Sequence, residues 1–190
     1  MSSRRCQASV WPEPFNVNPP VIVVMGVSGC GKSSVGERLA RVLRLEFVEG
    51  DAFHPPENVA RMAAGIALTD VDRQGWLQAL AGHIAQAQAA GRGLVVSCSA
   101  LKRAYRDLLR GAGAPCFVML HASRTLLEQR LATRVGHYMP ASLLDSQLAT
   151  LEPPGPDENA IDMDASQPVE TIVDAVLARL RLTPAPEASS

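Results

Sequence analysis

Aromatic residues are scarce in this chain, 4% of 190 positions, so it has little material for the stacked ring platforms that hold single-stranded nucleic acid. Neither sign of charge dominates. The 18 Lys and Arg against 19 Asp and Glu leave a net charge of -1, which argues against both a broad basic face for nucleic acid and an acidic tail. Cysteine is rare as well. Cys6, Cys30, Cys98 and Cys116 stand far apart with no CxxC or Cys/His metal spacing, the pattern of reduced thiols in a cytoplasmic protein. No apolar run reaches the roughly 18 residues a membrane span needs. The N-terminus has no continuous apolar targeting core, because Trp11-Pro-Glu-Pro14 interrupts it. Partners among nucleic acids and membranes are therefore not expected.

The composition, 47% hydrophobic and 19% charged, is that of one globular domain with a sizeable core. Residues 1–20 and 183–190, rich in Pro, Ser and small residues, read as a disordered leader and tail around a domain at 21–182. Within it, Val21–Met25 is a continuous β-branched run, as expected of a strand buried on both faces. Shorter runs at Leu45–Glu49, Leu94–Cys98, Cys116–Leu120 and Ala160–Met163 alternate with helical patterns near 32–43, 70–90, 101–110, 123–134 and 168–181. This alternation predicts an α/β fold around a mostly parallel sheet. The stretch 121–158 holds more helix than one crossover needs, and its polar part, about 122–140, reads as a mobile lid.

Gly26-Val-Ser-Gly-Cys-Gly-Lys-Ser33 matches the phosphate-loop pattern G-x-x-x-x-G-K-[ST] at every fixed position, after a strand and before a helix, the context the motif requires. Glycines let the backbone wrap an anion, and the helix start adds its positive dipole end. The expected nucleotide-binding residues are Gly26, Val27, Ser28, Gly29, Cys30, Gly31, Lys32, Ser33 and Ser34. Lys32 is placed on the β- and γ-phosphates of ATP, and the Ser33 hydroxyl on Mg²⁺.

Three classes of phosphate-loop protein compete. A GTPase would carry Asn-Lys-x-Asp, which is absent. A motor ATPase usually ends an apolar strand in Asp, whereas Leu94-Val-Val-Ser-Cys-Ser99 ends in hydroxyl and thiol groups. A small-molecule kinase fits better. Asp51 follows the second strand, on the side where open α/β sheets bind ligands, so it suits an acceptor hydroxyl as a base or Mg²⁺ as a ligand. His54 reads equally as a ligand group or as a loop residue capping the next short helix. Lys102 and Arg106, four apart near a helix start, oppose the dipole and so point to an anion. Of the arginines in the polar insertion, one or two suit the phosphates, while Arg124 reads as solvated helix surface.

At this point the chain resembles the thermoresistant-type gluconokinases, from about Val21 to Leu180. The resemblance rests on Met25–Ser33, Glu49-Gly-Asp-Ala-Phe-His-Pro-Pro-Glu-Asn-Val-Ala-Arg-Met62, Gly65–Arg73, Cys98–Arg110, Gly136-His-Tyr-Met-Pro140, Ser146-Gln147 and Leu151-Glu-Pro-Pro154. It implies a three-layer P-loop kinase fold with a five-stranded parallel sheet, helices on both faces and a helical lid. It also implies D-gluconate as acceptor, 6-phospho-D-gluconate as product, and a homodimer. On that reading Lys32, Asp51, Arg130 and Arg134 are catalytic, and Asp51, His54, Lys102, Arg106 and His137 bind substrate. A different acceptor, as in a shikimate kinase relative, and a non-enzymatic nucleotide switch are the alternatives.

Overall fold

Strand β1 (Val21–Met25) is buried at all five positions, as a strand covered by helices on both faces must be. The computed structural model describes residues 19–133 and 142–185. After β1 come α1 (Lys32–Leu43), β2 (Glu46–Glu49), a 3-10 turn (Gly50–Phe53), α2 (Pro56–Ala63), α3 (Asp70–Ala89), β3 (Leu94–Ser97) and α4 (Arg103–Gly113). β4 (Cys116–His121), α5 (Arg124–Thr133), α6 (Ser142–Thr150), β5 (Ala160–Asp164) and α7 (Val169–Leu180) complete the described chain. The five strands form one sheet in the order β2-β3-β1-β4-β5, and every pair is parallel.

The strand period of two sorts the core into two layers. Ile22 and Val24 pack with Leu39 of α1 and Ile172 and Val176 of α7. Val21, Val23 and Met25 pack on the other side with Trp76 and Leu80 of α3 and Leu109 of α4. Burying each such side chain contributes about 1.5–3 kcal/mol relative to leaving it in water.

The strands expected from sequence agree with those observed to within a residue or two. Helix α4 differs. It starts at Arg103, not near Ala100, because Ala100 takes a left-handed φ of 43°, which a helix cannot accommodate. The start of α3 has a physical cause visible in its residues. The Thr69 hydroxyl accepts from Asp72 N, and the Asp72 carboxylate accepts from Thr69 N, a reciprocal capping box. Near the C-terminus, Ala185 N–H donates to Val42 O at 2.9 Å, so the first residues after 182 lie along α1 instead of belonging to a free tail.

Candidate active site

The phosphate loop leaves the carboxyl end of the central strand. It turns through positive φ at Gly26, Gly29 and Gly31. Gly26 has a second constraint: a Cβ there would lie 2.5 Å from Leu120 O on the neighbouring strand β4. Its N–H is held by Ser99 O across β3. Helix α1 then starts at Lys32, and its first-turn N–H groups have no intrahelical acceptor. Ser28, Gly29, Cys30, Gly31, Lys32, Ser33 and Ser34 line a cavity of about 360 Å³. Val27 is buried beneath it, and its carbonyl accepts from Lys32 Nζ at 3.1 Å, so the lysine folds back over its own loop. The Cys30 thiol is also buried, which pushes its pKa up and keeps a thiolate away from the phosphate cradle.

Asp51 and Arg130 line the same cavity. Asp51 stands in the 3-10 turn after edge strand β2, and the turn is held by its backbone. Gly50 N donates to Ser97 Oγ at 3.1 Å, Trp76 Nε1 donates to Gly50 O at 2.7 Å, and the Ser97 hydroxyl donates to Glu49. Here only glycine fits, because a Cβ on Gly50 would lie 2.0 Å from Ser97 O. Arg130, on α5, reaches across the loop and donates to Ala165 O at 2.8 Å and to Cys30 O at 3.5 Å. Its helix packs directly on the loop: Leu127 is fully buried, and a Cβ on Gly29 would lie 3.2 Å from Leu131.

His54 is 9% exposed and stacks on Trp76, with ring centroids 4.1 Å apart. It does not cap α2, whose N-cap is Pro55. Burial drives its pKa down to about 4, opposed by the nearby Asp51 carboxylate and reinforced by Arg73. The ring is therefore neutral at neutral pH, and its Nδ1 has no hydrogen-bond partner among the described residues. Because the folded pKa lies below the ordinary 6.5, protonation favours the unfolded chain. The protein should lose stability as pH falls from about 6.5 towards 4. A His54→Leu variant should show a smaller drop in Tm over that window, by a few degrees, in thermal scans at matched ionic strength. An equal drop in both proteins would remove His54 as the cause.

A second cavity, of about 310 Å³, is lined by Asp70, Arg73, Lys102, Tyr105 and Gln147, among others. Lys102 is the N-cap of α4, and its Nζ lies 2.7 Å from both Asp70 oxygens. The Tyr105 hydroxyl also donates to Asp70. These two contacts hold the Asp70 carboxyl below its ordinary range.

Arg106 overturns an expectation. It is fully buried, with Nε and Nη2 on the Glu158 carboxylate at 2.5 and 3.0 Å and Nη1 on the carbonyls of Ala100 and Leu101. The four-residue spacing put it on a face with Lys102, but α4 begins two residues after Leu101, and Arg106 turns inward. It is a structural ion pair and not a substrate contact. Arg124 pairs with Glu128 and Asp145 on the surface, as its solvated reading expects. Arg134 and His137 lie outside the described residues.

Two groups near the site had no place in the sequence reading. Arg73, one residue beyond the capping box, lines the second cavity, and its charge is felt at His54 and Cys98. The dipole argument applied to Lys102 applies equally to this first-turn arginine and would have found it. Ala165, Gln167, Val169 and Ile172, following β5, line the first cavity. No motif marks them, since they serve through position after the far edge strand.

The family described as AAA domain matches residues 21–154. A gluconokinase of Gluconobacter oxydans is 47% identical over 164 residues, spanning 86% of this chain and 92% of that protein. The crystal structure of a gluconokinase from Sinorhizobium meliloti superimposes with a TM-score of 0.77 at 50% identity, over 86% of this chain and 94% of that one. A shikimate kinase from Aquifex aeolicus shares the fold alone, at 15% identity and a TM-score of 0.53 over 84% of this chain and 95% of that one.

Proposed function

Since the chain belongs to the gluconokinase family, we propose that it transfers the γ-phosphoryl group of ATP to the 6-hydroxyl of D-gluconate, releasing ADP and 6-phospho-D-gluconate. The observation that carries this reading is the placement of Asp51 on the wall of the phosphate-loop cavity, with the cationic cavity of Lys102 and Arg73 close by. A carboxylate facing the donor phosphates suits an alcohol acceptor, and cations beside it suit the acceptor's own carboxylate.

In this reading the loop N–H groups and Lys32 hold the β- and γ-phosphates, and Arg130 spreads over the charge of the transferring group. Asp51 orients the 6-hydroxyl and takes its proton as the oxygen attacks phosphorus and the bond to ADP breaks. Arg73 and Lys102 fix the anionic end of gluconate, the latter by exchanging part of its contact with Asp70. The orphan Nδ1 of neutral His54 is suited to a sugar hydroxyl. Arg134 and His137 join this set as lid groups on the strength of the resemblance, and a closing lid would exclude water as a competing acceptor.

Mg²⁺ fits the residues present. Ser33 and Asp51 offer hard oxygen donors to the same cavity, and no cluster of three or more carboxylate, His or Cys groups occurs among the described residues. That is the usual protein share for an ion held mainly by phosphates and water. When bound, it would supply charge neutralisation for the phosphates in that cavity. A homodimer and a cytoplasmic setting complete the proposal, supported by the resemblance and by the scattered thiols; among the described residues no helix is long and apolar enough to cross a membrane.

The test is ADP release measured by a coupled assay across D-gluconate, shikimate and nucleoside monophosphates. Turnover with gluconate and background rates with the others are expected. Acceptor-independent ADP release, or preference for shikimate, would overturn the assignment. In the same assay Lys102→Ala should raise KM for gluconate roughly 10- to 150-fold, the equivalent of about 1.5–3 kcal/mol for a charge-assisted contact, with a smaller change in kcat. An unchanged gluconate KM would remove Lys102 from the acceptor site.

A further inference from the structure

Helix α6 sends one side chain between the two cavities. Ser28 N–H, in the middle of the phosphate loop, donates to Gln147 Oε1 at 2.7 Å across 119 positions of sequence. Gln147 is 6% exposed. Ser28 lines the nucleotide cavity, whereas Gln147 lines the other cavity beside Lys102, Asp70 and Arg73. The bond thus ties a wall residue of one cavity to a wall residue of the other. Ser28 N–H can only donate, so the amide oxygen must face the loop, and the NH₂ group is the end left to act as a donor elsewhere.

The helix bearing this residue is itself tied to the acceptor side. Leu143, near its start, packs in a small cluster with Met62 of α2 and Leu68, which precedes α3. Beyond its end, Glu152 N donates to Leu101 O, and the Glu152 carboxylate accepts from Arg103 N at the start of α4. Contacts thus run without a break from the acceptor walls through α6 and Gln147 to the backbone of the phosphate loop.

We propose that Gln147 is a positioning residue that couples the two substrates: an acceptor held in the second cavity fixes the Gln147 amide, and the amide fixes Ser28 N–H and the loop around the nucleotide. The coupling runs equally in both directions, as any binding linkage must. The proposal rests on the gluconokinase reading for its choice of acceptor.

Calorimetric titration of the full chain with a non-hydrolysable ATP analogue, with and without saturating D-gluconate, tests it. In the unmodified protein, gluconate should tighten analogue binding at least about fivefold, the lower end of ordinary coupling. Gln147→Met, nearly equal in volume but without the amide, should reduce that factor to within twofold of unity. A merely structural role would weaken both ligands singly and leave the factor alone. A second measurement needs no variant. The Ser28 amide resonance of the unmodified protein should shift when gluconate is added without nucleotide. A retained coupling factor in Gln147→Met, or an unmoved Ser28 resonance under saturating gluconate, overturns the proposal. Gluconate that binds without coupling defeats this inference alone, whereas failure of gluconate to bind at all defeats the substrate assignment and this inference with it.

Discussion

Asp51→Asn is expected to lower kcat on the order of 10²–10⁴-fold, the usual contribution of a positioned general base. Asn keeps the shape of the side chain and removes its negative charge together with its capacity to accept a proton. The turn that presents it should survive, because its bonds come from Ser97, Glu49 and Trp76 to the backbone of residues 50 and 51, not to the Asp51 carboxylate. Circular dichroism and Tm should match the unmodified protein. Steady-state kinetics with gluconate should show the loss in kcat, and nucleotide titration without Mg²⁺ should be unchanged. Near-normal kcat would exclude Asp51 as the base. A selective loss of Mg²⁺-dependent nucleotide affinity would assign it to the metal instead.

The residues that the sequence brings to attention and the fold gathers around one cavity are those whose local chemistry is distinctive. Gly26–Ser33 follows a β-branched run and opens a helix, and each fixed residue has a steric or electrostatic reason visible in one dimension. Asp51 was legible for a similar reason: it stands at a strand end. Arg106 was not. Its four-residue distance from Lys102 implies one helix face only if both lie in the helix, and Ala100's left-handed turn delays the helix to Arg103. Its partner Glu158 lies 52 positions away, in a loop with no periodicity. Gln147 shows the same limit. Its partner is a backbone N–H far along the chain, and such a bond leaves no pattern in spacing or composition. The described part of the region read as a lid, α5, packs on the phosphate loop through Leu127 and Leu131, two apolar residues four apart in a mostly polar stretch.

The buried pair Arg106–Glu158 carries the second large effect. Arg106→Met alone leaves the buried Glu158 carboxylate with only the Gly155 N–H and Arg103, 4.0 Å away, and Glu158→Gln alone leaves the guanidinium charge with only backbone carbonyls. Either change should destabilise the fold by about 3–5 kcal/mol in urea unfolding. The double variant should recover most of the loss, since two apolar or neutral groups need no counter-charge. Comparable losses in the double and single variants would show that the carbonyl contacts to Ala100 and Leu101, not the charges, are what matters. Arg106 holds the Glu158 carboxyl below its ordinary value of 4.5. The stabilisation from this pair is therefore complete above that pH and disappears as pH falls through the lower folded value. Acid unfolding of the double variant should accordingly begin at lower pH relative to its own neutral stability.

The strand order divides the site between a central strand and its neighbours on one side. The phosphate loop grows from β1 at the centre of the sheet, where strands on both sides constrain every residue. Asp51 grows from β2, an edge strand with a neighbour on one side only, while Arg73 stands on α3 before β3 and Lys102 caps α4 after it. The grip on the triphosphate and the acceptor side therefore rest on different strands of one sheet. The two halves meet at Gly50, pressed against Ser97 O at the end of β3: a side chain there would shift the turn that carries Asp51.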